Sequence, residues 1–206
     1  HPDHFDPDTL AAFPKDIPIV ICNWPDNFLA RGLKSHGFTD VRLVDWEHGL
    51  DLGHGDHVWS KVSAAYTDVD SMSVFRIDGR SCLNTNDCGF VEEEMRGVKE
   101  RFPNLDLALL PASLVGPYPQ FYTNLTDGEK STEAERKKQR NLNNLLTQIH
   151  ILKPKVTIPF GGGVLYGGRK TAGYLYTGVA SHEETKTYFA AHPVENNAGS
   201  ARARLA

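Results

Sequence analysis

An unbroken apolar run, Ile17-Pro18-Ile19-Val20-Ile21-Cys22, constrains the fold more than any other stretch of the chain. A strand with one wet face alternates polar and apolar residues, whereas a short β-branched run that is apolar at every position suits a strand buried on both faces. Such strands belong to parallel sheets covered by helices. The next twenty or so residues meet that condition: Pro25 to Lys34 reads as a helix ended by Gly37, and Val41-Arg42-Leu43-Val44 as the next strand. A strand–helix–strand unit of this length implies two parallel strands with a covering helix. Just upstream, Pro7 to Phe13 reads as a short helix capped by Asp6 or Asp8.

The middle of the chain changes character. Val58 to Ala64 and Ser71 to Ile77 are strand-like, and the second run turns through Asp78-Gly79-Arg80 into Ser81 to Thr85. An Asp-Gly pair between alternating runs predicts a hairpin. Val91 to Arg101 then reads as a helix, Leu105 to Leu110 as a buried strand, Glu129 to Leu152 as a long amphipathic helix and Val156 to Phe160 as another buried strand. The sum is a mixed α/β layered protein without internal repeats. With 206 residues, 40% of them hydrophobic, one sizeable core and one domain are the default. Asn196 to Ala206 is small, polar and aperiodic, and reads as a disordered tail after a helix in 181–206.

Charge and cysteine use narrow the function classes. The net charge is −4 with acids and bases interspersed, which argues against a nucleic-acid partner. The densest basic stretch, Arg136-Lys137-Lys138-Gln139-Arg140, follows Glu129, Glu133 and Glu135 in a helical pattern, and reads as a solvated helix face. Three cysteines, Cys22, Cys82 and Cys88, are an odd number without disulfide or zinc-finger spacing, so a reducing cytoplasmic setting is expected. No apolar run approaches the roughly 18 residues of a membrane span, and the opening residues do not form a signal peptide.

Four stretches carry candidate chemistry. His1-Pro2-Asp3-His4 crowds two imidazoles and a carboxylate into one turn, and these donors suit zinc, iron or manganese. His1 and His4 are candidate ligands; Asp3 is a ligand to a second ion or an acid that orients a neighbour. Asn84-Thr85-Asn86-Asp87-Cys88 places a carboxylate and a thiol at the carboxyl end of a strand, where α/β sheets bind ligands, and reads equally as a turn whose Asn and Asp bond their own backbone. His54-Gly55-Asp56-His57 and Tyr66-Thr67-Asp68-Val69-Asp70 supply further polar groups around strands, with His57 more in keeping with a strand edge than a ligand. Gly161-Gly162-Gly163 and Gly167-Gly168-Arg169-Lys170-Thr171 resemble a phosphate loop, but Arg169 breaks the Walker spacing. A glycine-lined loop open to a ligand or a neighbouring backbone remains, with Arg169 and Lys170 near enough to serve an anionic substrate.

Taken together, these pieces resemble the metallo-β-lactamase-fold superfamily, whose first signature is His-x-His-x-Asp-His between a strand and a helix. His1-Pro2-Asp3-His4 matches its last four positions, and Asp87 matches the family's bridging metal-ligand aspartate. The resemblance implies an αββα sandwich, incomplete at the N-terminus, with residues 1–180 as the C-terminal two-thirds of the domain. Within the superfamily the chain is most similar to the branch of the CMP-N-acetylneuraminate hydroxylases and related amino-sugar nucleotide hydroxylases. The matching segments are the His1-to-His4 start followed by Thr9-Leu10, the Leu83-to-Cys88 strand, Gly116-Pro117-Tyr118-Pro119, and Glu135-Arg136-Lys137-Lys138 leading to Pro154-Lys155 and Pro159-Phe160-Gly161-Gly162. The family's third-motif histidine falls near Tyr66, where Asp68 or Asp70 is a substitute unless the site holds one metal.

The resemblance implies a metalloenzyme in which His1, His4 and Asp87 hold zinc or iron, one ion or two, beside Asp3, with Tyr66 close to the reaction. In the general superfamily chemistry the site activates a water to hydrolyse an ester, amide or phosphoester. In the hydroxylase-like variant the same ligands hold non-haem iron and hydroxylate an N-acylated amino-sugar nucleotide. No Rieske Cys/His pairs occur in the sequence, so that variant implies an external Rieske 2Fe–2S donor as electron-transfer partner. Tyr118, Gly161, Gly162 and Arg169 are the candidate contacts to a small-molecule substrate. Two further readings stand beside these: a metal-free relative that only binds, and a copper clamp formed by a mature His1. A sandwich lacking part of one layer is also expected to self-associate through exposed sheet surface.

Overall fold

The computed structural model describes residues 5–66, 70–161, 177–193 and 204–205, the side chains of residues 66, 204 and 205 excepted. The chain divides into two compact units, His1–Gly89 and Phe90–Ala206.

In the first unit, helix α1 (Pro7–Ala11) is capped by Asp6, whose carboxylate accepts from the backbone N–H groups of Asp8 and Thr9. Strands β1 (Ile19–Cys22) and β2 (Val41–Val44) pair in parallel with Ile19 opposite Val41, and α2 (Phe28–Ser35) connects them. The end of α2 explains why Gly37 is needed. At φ 91° its N–H reaches the Lys34 carbonyl at 3.0 Å, the Phe38 N–H reaches the Leu33 carbonyl at 3.2 Å, and Leu33 and Phe38 are both buried. The helix begins three residues later than the Pro25 start that the pattern predicts. Pro25 instead enters a turn closed by the Asn27 N–H on the Trp24 carbonyl, and Asn27 is left-handed at φ 47°.

Strands β3 (Leu50–Gly53), β4 (Asp56–Val62), β5 (Ser71–Ile77) and β6 (Arg80–Asn84) come next as an antiparallel meander. Between paired Ile77 and Arg80, Asp78 and Gly79 take φ 48° and 72°, the two positive values of a type I′ turn. His54 (φ 57°) and Gly55 (φ 86°) repeat that geometry between paired Gly53 and Asp56. The sequence pattern does not announce β3, and it presents this turn only as polar groups ahead of a strand. Histidine is one of the few side chains that enter the left-handed region, and β3 is mostly exposed, so no apolar alternation marks it.

The second unit comprises α3 (Glu92–Arg101), β7 (Leu107–Pro111), α4 (Asp127–Leu152), β8 (Val156–Phe160), α5 (His182–Ala191) and β9 (Arg204–Leu205). Strands β7, β8 and β9 run parallel in that order; Arg204 and Leu205, in the stretch read as disordered, pair with Val156 and Thr157. Helix α4 starts at a capping box formed by Thr126 and Glu129 and stops at Lys153, left-handed at φ 47° before Pro154. Leu142, Leu145, Ile149 and Leu152 form its buried stripe, and α3 packs against it with Met95 and Val98 buried. One expectation for α4 fails. The basic stretch is not a solvated face throughout: Arg136 is exposed in an ion pair with Glu133, but Lys137 is only 8% exposed. A charge run says nothing about which of its members faces inward, and position 137 turns toward the loop after β7.

Candidate functional site

A cavity of about 380 Å³ lies within the first unit, a size suited to a small molecule. Its apolar wall comes from β1, α2, β2 and Phe5, and its polar side from Cys22, Ser60, Asp70, Ser71, Ser73 and Asn86. The β4/β5 register accounts for the serines. Ser60 and Ser73 are paired residues of neighbouring strands; the Ser73 hydroxyl donates to Ser60 Oγ at 3.0 Å, and Ser60 donates onward to the Met72 carbonyl at 3.1 Å. Both hydroxyls are therefore held in place. Cys22, at the end of β1, is 6% exposed, and burial pushes its thiol above the usual range despite hydrogen bonds to Ser60 and Ser71. A thiol held protonated in this way is a weak nucleophile, so Cys22 serves as wall.

The turn after β6 presents the predicted strand-end carboxylate. The Asn84 side chain spans it, its Oδ1 accepting from the Asn86 N–H at 3.0 Å and its Nδ2 donating to Asn86 Oδ1 at 2.9 Å. Asn86 is left-handed at φ 47°, and its Nδ2 donates to the Ser71 carbonyl at 2.8 Å, which ties the turn to β5. Asp87 is next in the chain, and it is exposed. The two readings of this stretch are thus compatible: the asparagines bond the backbone, and the turn they make carries Asp87 at its outer corner beside the cavity-lining Asn86.

Of the other predicted residues, His1, Asp3 and His4 lie outside the described residues, as do Gly162, Arg169, Lys170 and Asp68. Tyr66 ends a 3-10 turn, Ala64–Tyr66, between β4 and β5, and Asp70 just beyond it lines the cavity. His57 sits on β4, stacked on Trp59 at 5.5 Å with Nδ1 3.2 Å from the Gly55 carbonyl, a strand-edge histidine. Among the described residues no group of three or more His, Cys, Asp and Glu side chains converges on one point. Asp87 is the one proposed ligand within them, and it is exposed. Imidazole and carboxylate donors are the right type for zinc or iron.

The predicted substrate contacts that are described lie in the second unit. Gly161, directly after β8, sits at φ 77°, and a β-carbon there would come within 2.7 Å of the Ser113 carbonyl oxygen, so two backbones meet at this glycine. Ser113 Oγ accepts from the Ala180 N–H at 3.1 Å. Tyr118 donates its hydroxyl to Glu133 at 2.5 Å, which pushes the phenol above its ordinary range, while Arg136 holds Glu133 below the usual carboxylate range. Tyr118 precedes a cis proline, Pro119, and packs edge-on against Tyr122 at 4.9 Å. Ser60 and Ser73 are not apparent as site residues from the sequence, and Asn86 is apparent only as part of the turn that carries Asp87. The one signal for the serines is their place next to apolar residues in the middle of β4 and β5.

No protein-family model matches the sequence, and no curated protein is similar to it. Similar solved structures do exist. The isothiocyanate hydrolase from Delia radicum gut bacteria is 17% identical with a TM-score of 0.52, over 93% of this chain and 67% of that one. A mutant of the CmlA beta-hydroxylase is 17% identical with a TM-score of 0.50, over 79% of this chain and 33% of that one. The chain therefore spans about a third of the length of the hydroxylase. Among the described residues no helix is long and apolar enough to cross a membrane. At this level of identity the likeness is one of fold, and the chain is a mixed α/β protein with the metallo-β-lactamase fold.

Proposed function

We propose that the protein is a metal-dependent hydrolase acting on a small molecule, with His1, His4 and Asp87 as metal ligands and Asp3 binding a second ion or orienting the attacking water. The observation that carries this reading is the turn at Asn84–Asp87, which is fastened by its asparagines to β5 and leaves Asp87 exposed, next in the chain to the cavity-lining Asn86. The metal supplies a Lewis acid that activates water and polarises the scissile carbonyl or phosphoryl group. The rest falls to the chain. Apolar walls from β1, α2 and β2 keep bulk water away from the bound group, the fixed Ser60 and Ser73 hydroxyls orient its polar end, and Asp70 is the carboxylate facing the same space. A likeness to an isothiocyanate hydrolase supports hydrolysis as the reaction class.

A second reading, oxygen-dependent hydroxylation at non-haem iron with an external electron donor, draws support from the likeness to a beta-hydroxylase. Elemental analysis of the full-length protein separates the two. Hydrolysis expects one or two zinc ions per chain, and hydroxylation expects iron. Asp87→Ala and His4→Ala each lower the bound metal at least tenfold in either case. A protein that binds neither metal, or a D87A variant that keeps its full complement, overturns the assignment of ligands and leaves a relative that only binds.

A further inference from the structure

Lys137 is the residue whose surroundings least fit its chemistry. It is 8% exposed, and its ammonium donates to the Tyr118 carbonyl at 3.0 Å, the single acceptor for its three donors among the described residues. The neighbouring carboxylates are taken: Glu133 pairs with Arg136 at 2.5 Å, and Glu135 and Glu184 pair with Lys138 at 2.9 and 2.7 Å. The other charge that Lys137 feels is Arg140, of the same sign, and burial and Arg140 together lower its pKa. A buried cation without a counter-charge is unfavourable unless something supplies one.

One helical turn further on, Asn141 is 5% exposed, and among the described residues its Nδ2 has no hydrogen-bond partner. Positions 137 and 141 are i and i+4, so their side chains leave the helix on one face with β-carbons about 5–6 Å apart. Both present N–H donors without enough acceptors, and the local charge is positive. A β-carbon at Gly116 would lie 3.9 Å from Lys137 Nζ, an ordinary contact distance, so the loop after β7 passes beside the ammonium without crowding it. We propose that Lys137 and Asn141 form a binding site for a small oxyanion, a phosphate or carboxylate group, on the inner face of α4. One anion oxygen accepts from the ammonium and another from the carboxamide, as charge-assisted recognition of an oxyanion requires. The site stands independently of the metal reading, since every residue in it belongs to the second unit.

The test is thermal melting of the full-length protein in sodium phosphate, in sodium acetate and in sodium chloride at matched ionic strength. A rise in Tm over chloride is expected in phosphate, in acetate or in both, reaching about 5 °C or more at a hundredfold excess over Kd. A response to phosphate alone, or to acetate alone, says which anion the site takes. Lys137→Met abolishes the rise, whereas Lys155→Met, at an exposed lysine paired with Asp106, retains it. Isothermal titration of Asn141→Ala gives about tenfold weaker anion binding and keeps the proposal testable if Lys137→Met does not fold. Equal melting in all three salts means that water alone meets these donors, and overturns the proposal. So does a Lys137→Met protein that keeps the rise, which places the anion elsewhere, or an Asn141→Ala protein of unchanged affinity.

Discussion

Both units bury short hydroxyls, but among the described residues only the second buries amide and charged side chains as well. In the first unit the buried polar side chains are short hydroxyls, Ser60, Ser63, Ser81 and Thr85. Ser60 and Ser73 bond each other and the Met72 carbonyl, and Ser63 Oγ accepts from the Ala65 N–H. In the second unit the hydroxyls of Ser113, Thr157 and Thr185 are joined by the longer groups Glu94, Gln120, Lys137, Asn141 and Gln148, and among the described residues neither Asn141 Nδ2 nor Thr157 Oγ1 has a hydrogen-bond partner. A hydroxyl satisfied by the adjacent strand helps to fix register and asks nothing of a ligand. A donor left over on a helix face costs stability until something else arrives. The contrast is between hydroxyls that specify a fold and donors that await a partner; the leftover buried atom of the first unit, Asn27 Oδ1, is an acceptor.

The largest effect that sharpens this contrast comes from the apolar framework common to both units. Leu83 on β6 and Leu145 on α4 are both 0% exposed. Leu83→Ala and Leu145→Ala are each expected to lower the free energy of unfolding by about 2–5 kcal/mol, read from urea denaturation followed by circular dichroism. Similar losses would show that both units rest on close-packed apolar cores and differ only in their polar inventory. A loss below about 1 kcal/mol at Leu145 would mean that α4 is not held by its apolar stripe, and the comparison would break there.

A matched pair of glycines gives the next effect. Gly79 and Gly161 have nearly the same φ, 72° and 77°, but nothing lies within 4 Å of a β-carbon built at Gly79, while one at Gly161 meets the Ser113 carbonyl oxygen at 2.7 Å. Gly79→Ala thus measures left-handed strain alone, about 1 kcal/mol. Gly161→Ala adds a backbone clash and is expected to cost about 1–3 kcal/mol more. Equal costs, measured by the same denaturation, would show that the backbones at Ser113 and Gly161 separate freely.

The same pair illustrates what the chain makes legible. Asp78-Gly79 announces its turn because the demand for positive φ is local, and the hairpin and its register are set by it. The apolar runs of β1 and β8 are legible for a similar reason, since no residue of either strand is exposed and the cover leaves a mark at every position. The reason for Gly161 is not local: Ser113 lies far off in sequence, and only folding brings its carbonyl close. Lys137 shows the limit most clearly. Within Arg136-Lys137-Lys138-Gln139-Arg140 nothing distinguishes the buried cation from its exposed neighbours, because burial at one helical position depends on what packs there. At the candidate site, Asp87 is readable as a strand-end acid, but the bonds from Asn84 and Asn86 that hold its turn arise from side-chain geometry that a pattern does not carry.

The smallest effect concerns how each unit caps a helix with an acid. Asp6 serves its own turn through Asp8 and Thr9, whereas Glu184 does two things at once: it closes the capping box with the Ser181 N–H at 2.8 Å, and it pairs across to Lys138 of α4 at 2.7 Å. Lys138 and the cap hold the Glu184 carboxyl at about 2, against an ordinary 4.5. Because the folded pKa is depressed, this contribution is fully present above about pH 4.5 and is lost as the pH falls through about 2. Its size is limited by exposure: the Glu184 side chain is 47% exposed, so solvent screening leaves about 0.5–1 kcal/mol. Glu184→Gln should therefore be less stable than the wild type by that amount at pH 7, with the gap closing as both proteins are taken to about pH 2. Raising the salt to about 1 M at pH 7 should narrow the gap as well, since the Lys138 pair is at the surface. A gap that persisted unchanged at about pH 2 would mean that the glutamate acts through its shape and not its charge, and that α4 and α5 are tied by packing alone.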